Sequence, residues 1–97
     1  MKFIIKNRGK ENLLNLMRRV GYYSLPEKES NLSFVRPFEK SGYPRFHIYL
    51  KNEGENLIFN LHLDQKRPIY GGSPAHAGEY DGKVVEAETK RIKEILK

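Results

Sequence analysis

The fold is decided by residues 45–64, RFHIYLKNEGENLIFNLHLD, where two alternating segments flank a short polar turn. In the first segment Phe46, Ile48 and Leu50 alternate with polar or amphipathic residues, and in the second every other residue over 57–63 is Leu or Phe. A period of two is typical of a strand with one buried face. The turn contains a glycine that can take a positive φ, so the sequence predicts a β-hairpin.

The hairpin predicts which side chains share a face, while two registers remain open. With residues 53 and 54 in the turn His47 faces Asn60, and with residues 54 and 55 in the turn it faces His62. Both registers place the two histidines on one face, about 5–8 Å apart. A one-residue slip would expose seven large apolar side chains, so the facing is well determined. The predicted polar face contains Arg45, His47, Tyr49, Asn60, His62 and Asp64.

Outside the hairpin, apolar spacing predicts one helix near each end of the chain. Residues 10–20 and 83–96 both carry apolar residues three or four positions apart, which is the helical period. Residues 1–6 and 32–38 are strand-like, and the glycine- and proline-rich residues 65–82 predict a long loop. The result is an α+β fold in β-α-β-β-β-α order, with a three-stranded antiparallel sheet and helices packed on one face.

The facing of the strand at 32–38 depends on the length of the turn that follows it. An even-length turn would place Phe34, Arg36 and Phe38 on the polar face, where exposed aromatic and basic side chains suit single-stranded nucleic acid. An odd-length turn would send both phenylalanines into the core. Burial of two phenylalanines is energetically favoured, so the core position is the preferred prediction.

Length and composition limit the class of protein. The 97 residues predict a single domain over 1–97, and eleven aromatic residues argue against a disordered chain. No cysteine is present, which excludes disulfides, thiolate metal sites and cysteine nucleophiles. No apolar run is long enough to cross a membrane, and basic residues precede any signal-like segment. These features predict a cytoplasmic protein with no membrane partner.

Charge is unevenly distributed along the chain. The formal net charge is +6, and residues 1–50 hold all of the excess, with ten Lys and Arg against four acidic residues. A one-sided positive field attracts polyanions, and RNA is the polyanion that this sequence favours. The oligomeric state stays open, a dimer included.

The polar face allows three chemistries. In the first, the imidazoles of His47 and His62 transfer protons in a metal-independent cleavage of RNA, because imidazole titrates near neutral pH. In the second, a divalent metal such as zinc is bound, which makes the protein a metal-binding domain or a metal-dependent hydrolase. The third is plain binding, either of RNA or, as an adaptor, of another protein. The candidate metal ligands are His47, His62, Asp64 and His76, and the candidate nucleic-acid contacts are Arg36, Arg45, Tyr49, Lys51 and Asn60.

The helix–strands–helix order resembles the double-stranded-RNA-binding-domain fold and, within it, the HicA-type mRNA-interferase toxins. The residues that carry this resemblance lie over about 10–65: a helix running into Gly21-Tyr22, and His47 in the middle strand. The resemblance implies RNA as the ligand and His47 as the catalytic histidine. In place of the family's Gly-Ser/Thr-His-His stretch this chain has Pro44-Arg45-Phe46-His47. The sequence thus favours a small RNA-binding domain, with a ribonuclease activity at His47 and His62 as the sharper hypothesis and no required cofactor.

Overall fold

The fold is an α+β arrangement of two helices and an antiparallel sheet. The structure is a computed structural model that describes residues 1–25, 32–65, 78–79 and 82–97. Among these residues no helix has the length and apolar character needed to cross a membrane. The elements in chain order are β1 (Lys2–Lys6), α1 (Leu13–Arg19), β2 (Tyr23–Ser24), β3 (Leu32–Pro37), β4 (Arg45–Glu53), β5 (Asn56–Asp64), β6 (Gly78–Glu79) and α2 (Lys83–Ile95).

The central hairpin takes the register in which the two histidines are direct partners. Strands β4 and β5 are joined through Gly54 and Glu55, and Gly54 has the positive φ of 61° that this tight turn requires. His47 therefore pairs with His62 across the two strands. The core side of the hairpin is buried as predicted, with Ile48, Leu57, Phe59 and Leu61 all 0% exposed.

The prediction of a three-stranded sheet is wrong. Over the described residues the main sheet has five strands in the order β1-β5-β4-β3-β2, and the two-residue strand β6 also pairs with β5. β1 occupies the free edge of β5, where Phe3 stacks on Phe59 with ring centroids 4.8 Å apart. β2 pairs with β3 through only two residues, which is too short a segment to show a period in the sequence.

Strand β3 takes the facing that buries Phe34. Phe34 pairs with Ile48 of β4 and is 1% exposed, as the odd-length turn over 38–44 requires. Phe38 differs from the prediction because it lies just beyond the end of β3, where it is 49% exposed and its ring is tilted against that of Phe46, with centroids 4.9 Å apart. Arg36 lies on the same side of the sheet as Phe34, facing the helices.

Both helices pack on one face of the sheet and close a single core. α1 contributes Leu16 and Met17, and α2 contributes Val85 and Ile92, to the cluster that also contains the buried residues of β4 and β5. α1 ends before Gly21, whose φ of 89° is a left-handed conformation that favours glycine. Most of the loop predicted at 65–82 lies outside the described residues.

A buried phenol links the first helix region to α2. The hydroxyl of Tyr22 donates a 2.6 Å hydrogen bond to Glu88, which is 4% exposed, and Arg36 and Arg91 form ion pairs with the same carboxylate. Burial, together with the negative charge and hydrogen bond of Glu88, raises the pKa of Tyr22 far above its usual value. This network explains how charged groups can lie on the core side of the sheet.

Candidate functional site

The sheet face opposite the helices carries the polar residues predicted from the alternation. Strand pairing arranges them in rows that run across the sheet. One row places His62 and His47 beside Val35, and the next places Asn60 and Tyr49 beside Ser33. A site built on three paired strands is held by the ladder of backbone hydrogen bonds, so its side chains have little freedom to separate.

Two imidazoles converge on one carboxylate at the centre of this face. His47 Nδ1 lies 3.1 Å from Asp64 Oδ2, and His62 Nε2 lies 2.9 Å from Asp64 Oδ1. The two imidazole rings are 4.8 Å apart between centroids. Each carboxylate oxygen of Asp64 thus contacts a different histidine, although the three residues come from two strands.

The second ring nitrogen of His47 also has a partner. The Ser33 hydroxyl forms a short hydrogen bond with His47 Nε2, so Ser33, His47 and Asp64 form a chain of contacts across β3, β4 and β5. Ser33 was not identified from the sequence. The side of the sheet to which β3 directs this residue depends on whether the turn over 38–44 has an odd or an even number of residues, and the sequence left both open. The available signal for Ser33 was its position in the predicted strand, where a hydroxyl-bearing residue lies between the apolar residues Leu32 and Phe34.

The cluster is largely buried, although it lies on the face away from the helices. His47 and His62 are each 6% exposed and Ser33 is 2% exposed. Arg45 adds a third donor to the carboxylate, with its Nε donating to Asp64 Oδ2 at 3.1 Å. Polar groups so poorly solvated are costly unless they are paired, and the contacts among these residues satisfy them.

The carboxylate at the centre is ionised at neutral pH. Burial by itself would raise the pKa of Asp64, but hydrogen bonds from His47 and His62, and then from Arg45, outweigh it. The pKa of Asp64 therefore lies well below its usual range. The anionic oxygens of Asp64, which face two imidazole nitrogens, supply a negative charge that suits a cation.

Tyr49 forms the exposed border of the cluster. Its ring stacks on His47 with centroids 4.5 Å apart and on His62 with centroids 5.7 Å apart. The residue is nevertheless 42% exposed. Tyr49 thus links the buried imidazoles to a surface that a ligand can reach.

The other predicted contact residues are divided between the two sides of the sheet. Asn60 and Lys51 are exposed on the polar face, where Lys51 is 2.9 Å from Glu53. Arg36 lies on the helix side, 3.3 Å from Glu88, and so is not brought together with the histidines. His76, predicted as a further metal ligand, lies outside the described residues.

The convergent atoms have the arrangement of a metal-ligand set. His47, His62 and Asp64 each offer a ligand atom, and these atoms all lie within 4.8 Å of one another. Two ligand atoms about 2.0–2.2 Å from a tetrahedral zinc ion are roughly 3.3 Å apart. The observed His–Asp separations of 2.9 and 3.1 Å therefore need to open slightly, and the widest separation in the set, up to 4.8 Å, needs to close when an ion binds. The geometry is also that of a proton relay, because Ser33 bonds the far side of His47.

Comparison with known proteins returned no relative of this chain. No protein-family model matches it, and no curated protein and no solved structure matches it significantly. What the site can do therefore follows from its own atoms. The decisive ones are the two imidazole nitrogens that face the Asp64 carboxylate from 2.9 and 3.1 Å.

Proposed function

We propose that this protein binds a first-row divalent metal ion, with zinc as the preferred ion, through His47, His62 and Asp64. The single observation that carries the proposal is the convergence of His47 Nδ1, His62 Nε2 and both Asp64 oxygens inside a cluster shielded from water. Imidazole nitrogen and carboxylate oxygen are ligands that zinc and its neighbours accept. The ionised state of Asp64 supports the proposal, because a ligand must be deprotonated to bind.

Ser33 supports the metal interpretation as a partner of a ligand. Histidines that bind a metal through one nitrogen usually hold a hydrogen-bond partner with the other, which fixes the tautomer and the ring orientation. Ser33 is in that position, since its hydroxyl meets His47 Nε2 while Nδ1 faces the carboxylate. A serine hydroxyl accepts as well as donates, so Ser33 Oγ can accept a hydrogen bond from Nε2–H when Nδ1 is used as a ligand.

Metal-independent proton transfer by His47 receives less support from the same geometry. A general base has to come within hydrogen-bond reach of a substrate proton. Both nitrogens of His47 already have partners, and the residue is only 6% exposed. A ribonuclease mechanism at His47 and His62 is therefore our second candidate, and the observation in its favour is the convergence of two imidazoles on one carboxylate.

Three protein ligands of this kind are typical of catalytic zinc sites, in which the ion also binds a water molecule and lowers its pKa toward neutrality. The chain's own residues would hold the ion, orient His47 through Ser33 and limit access of bulk water. The helix–strands–helix order α1-β3-β4-β5-α2 also supports our proposal that the core is double-stranded-RNA-binding-domain-like, with β1, β2 and β6 added to it.

Cobalt titration tests the metal site directly. Untagged protein is stripped with EDTA and titrated with Co²⁺, whose visible absorption reports the coordination number, and Zn²⁺ is then added as a competitor. We expect one Co²⁺ per chain with absorption of a four- or five-coordinate ion, which zinc removes. Asp64→Asn should weaken binding at least tenfold, whereas Glu53→Gln, which changes an exposed carboxylate on the same hairpin, should not.

Circular dichroism of each variant separates loss of a ligand from loss of the fold. The metal proposal fails if the wild type binds no cobalt stoichiometrically, or if Asp64→Asn remains folded and binds as tightly as Glu53→Gln. RNA cleavage by the EDTA-treated protein that disappears in His47→Ala would instead support the ribonuclease candidate.

A further inference from the structure

We propose that the exposed part of the polar sheet face, centred on Tyr49, binds single-stranded RNA. RNA binding by this surface does not depend on the metal site. Only the assignment of RNA as the substrate class of that site rests on the proposed function. The surface consists of Tyr49 and Lys51 on β4, Asn60 on β5, and Lys2 and Lys6 on β1.

Tyr49 is a pre-formed platform for base stacking. It is 42% exposed, while its stacking on His47 and His62 fixes the position of the ring. Bases of single-stranded nucleic acid stack on aromatic rings presented by a sheet, and a ring that is already ordered loses little freedom when a base binds. Duplex RNA keeps its bases stacked internally, so such a platform favours unpaired RNA.

The strand pairing places positive charge beside this platform. Lys2 pairs with Asn60, which pairs with Tyr49, so Lys2 and Tyr49 lie two strands apart, about 10 Å between Cα atoms. Lys51 lies two residues from Tyr49 along β4 and therefore on the same face. A phosphate on either side of a stacked base can be contacted by one of these ammonium groups.

The net charge of this face favours a polyanion. Its described strands carry four cations, Lys2, Lys6, Arg45 and Lys51, against the two carboxylates of Glu53 and Asp64. Asp64 is paired with Arg45, and the contact between Lys51 and Glu53 is between side chains 71% and 52% exposed. Exposed ion pairs of this kind are weak in water, so Lys51 can exchange its carboxylate for a phosphate at little loss.

Asn60 points to RNA rather than DNA. Its exposed amide lies between Tyr49 and Lys2 and offers both a donor and an acceptor. A ribose 2′-hydroxyl likewise both donates and accepts, and it is the group by which a protein distinguishes RNA from DNA. Charge complementarity, a stacking ring and a bifunctional amide thus lie side by side on one rigid surface.

Fluorescence anisotropy tests the proposal. A labelled single-stranded RNA of roughly twelve nucleotides, the DNA of the same sequence and the duplex RNA are titrated with full-length protein in EDTA, so that metal binding plays no part. We expect the single-stranded RNA to bind most tightly. Tyr49→Ala should weaken binding about tenfold, which is within the range measured for loss of one stacked base. Phe38→Ala, an exposed ring on the helix side of the sheet, is the matched control and should have no effect.

Salt dependence tests the lysines separately. The double variant Lys2→Ala/Lys51→Ala should lower the slope of log K against log salt by about 1.4, or roughly 0.7 for each phosphate of a single strand that is no longer neutralised. The control Lys83→Ala/Lys90→Ala removes the same charge from exposed positions of α2 and should leave the slope unchanged. Equal effects of the two double variants, equal binding of RNA and DNA, or no effect of Tyr49→Ala in a folded protein would each overturn the proposal. Because every titration is done in EDTA, failure of the metal proposal would not affect these results.

Discussion

Replacement of Ser33 by alanine is the sharpest test of how the buried cluster works. The substitution removes one hydroxyl, which is 2% exposed and hydrogen-bonded to His47 Nε2. Nothing else about the strand has to change, because alanine fits wherever serine does. The ring of His47 would no longer have the hydrogen bond that fixes its tautomer, while its hydrogen bond with Asp64 would remain.

The size of the effect follows from these two hydrogen bonds. A buried ring nitrogen left without a partner destabilises a protein by about 1–3 kcal/mol, so Ser33→Ala should lower the free energy of unfolding in EDTA by about that amount. Loss of a hydrogen-bond partner behind a ligating histidine typically weakens metal binding about 10–100-fold. Ser33→Ala should therefore weaken zinc binding by about that factor, although it removes none of the three ligands.

Two measurements check this prediction. Urea unfolding in EDTA gives the loss of stability, and competition with a chromophoric chelator gives the zinc affinity of the folded protein. Ser24→Ala, an exposed serine on β2, is the control and should change neither quantity. If Ser33→Ala binds zinc like the wild type, our assignment of Ser33 as the partner that orients His47 is refuted.

Three further predictions concern the metal, the pH range and the core. Zinc at about 100 times its dissociation constant should stabilise the wild type by about 2.7 kcal/mol and raise its melting temperature by roughly 10 °C or more. Calorimetry measures this shift, and an equal shift in Asp64→Asn would contradict the proposed metal site. Burial, and then the charge and hydrogen bond of Glu88, raise the pKa of Tyr22, so above pH 10 the folded protein keeps the phenol proton that the unfolded chain loses. The contribution of Tyr22 to stability is therefore complete below pH 10 and decreases as the pH rises above it. Urea unfolding should show the wild type losing about 1.4 kcal/mol per pH unit more than Tyr22→Phe in this range, and parallel curves would show that the phenol is not buried. Ile48 is 0% exposed, so Ile48→Val should lower the free energy of unfolding by about 0.5–1.5 kcal/mol. Ile4 is 55% exposed, so the control Ile4→Val should have little effect. Equal losses in the two variants would place Ile48 outside the core.

The network around Glu88 shows why some charged residues could not be placed from the sequence. Arg36 was predicted among the nucleic-acid contacts because it is basic and lies in a strand-like segment. In the structure it faces the helices and pairs with Glu88, which is 52 residues away in the chain. Neither residue signals its partner locally, since an ion pair of this kind is created by the packing of α2 against the sheet.

The sequence by itself determined the hairpin and the sharing of one face by His47, His62 and Asp64, because a period of two leaves no other way to bury seven large apolar residues. The direct pairing of the two histidines was one of two possibilities that the turn chemistry allowed equally. The arrival of Ser33 and of Lys2 at the same face was decided only by the tertiary structure. β1 brings Lys2 there by pairing with β5, which lies far along the chain, and local residue patterns carry no information about which free edge such a strand will join. β3 brings Ser33 there because the turn over 38–44 has an odd number of residues, which the sequence pattern left open.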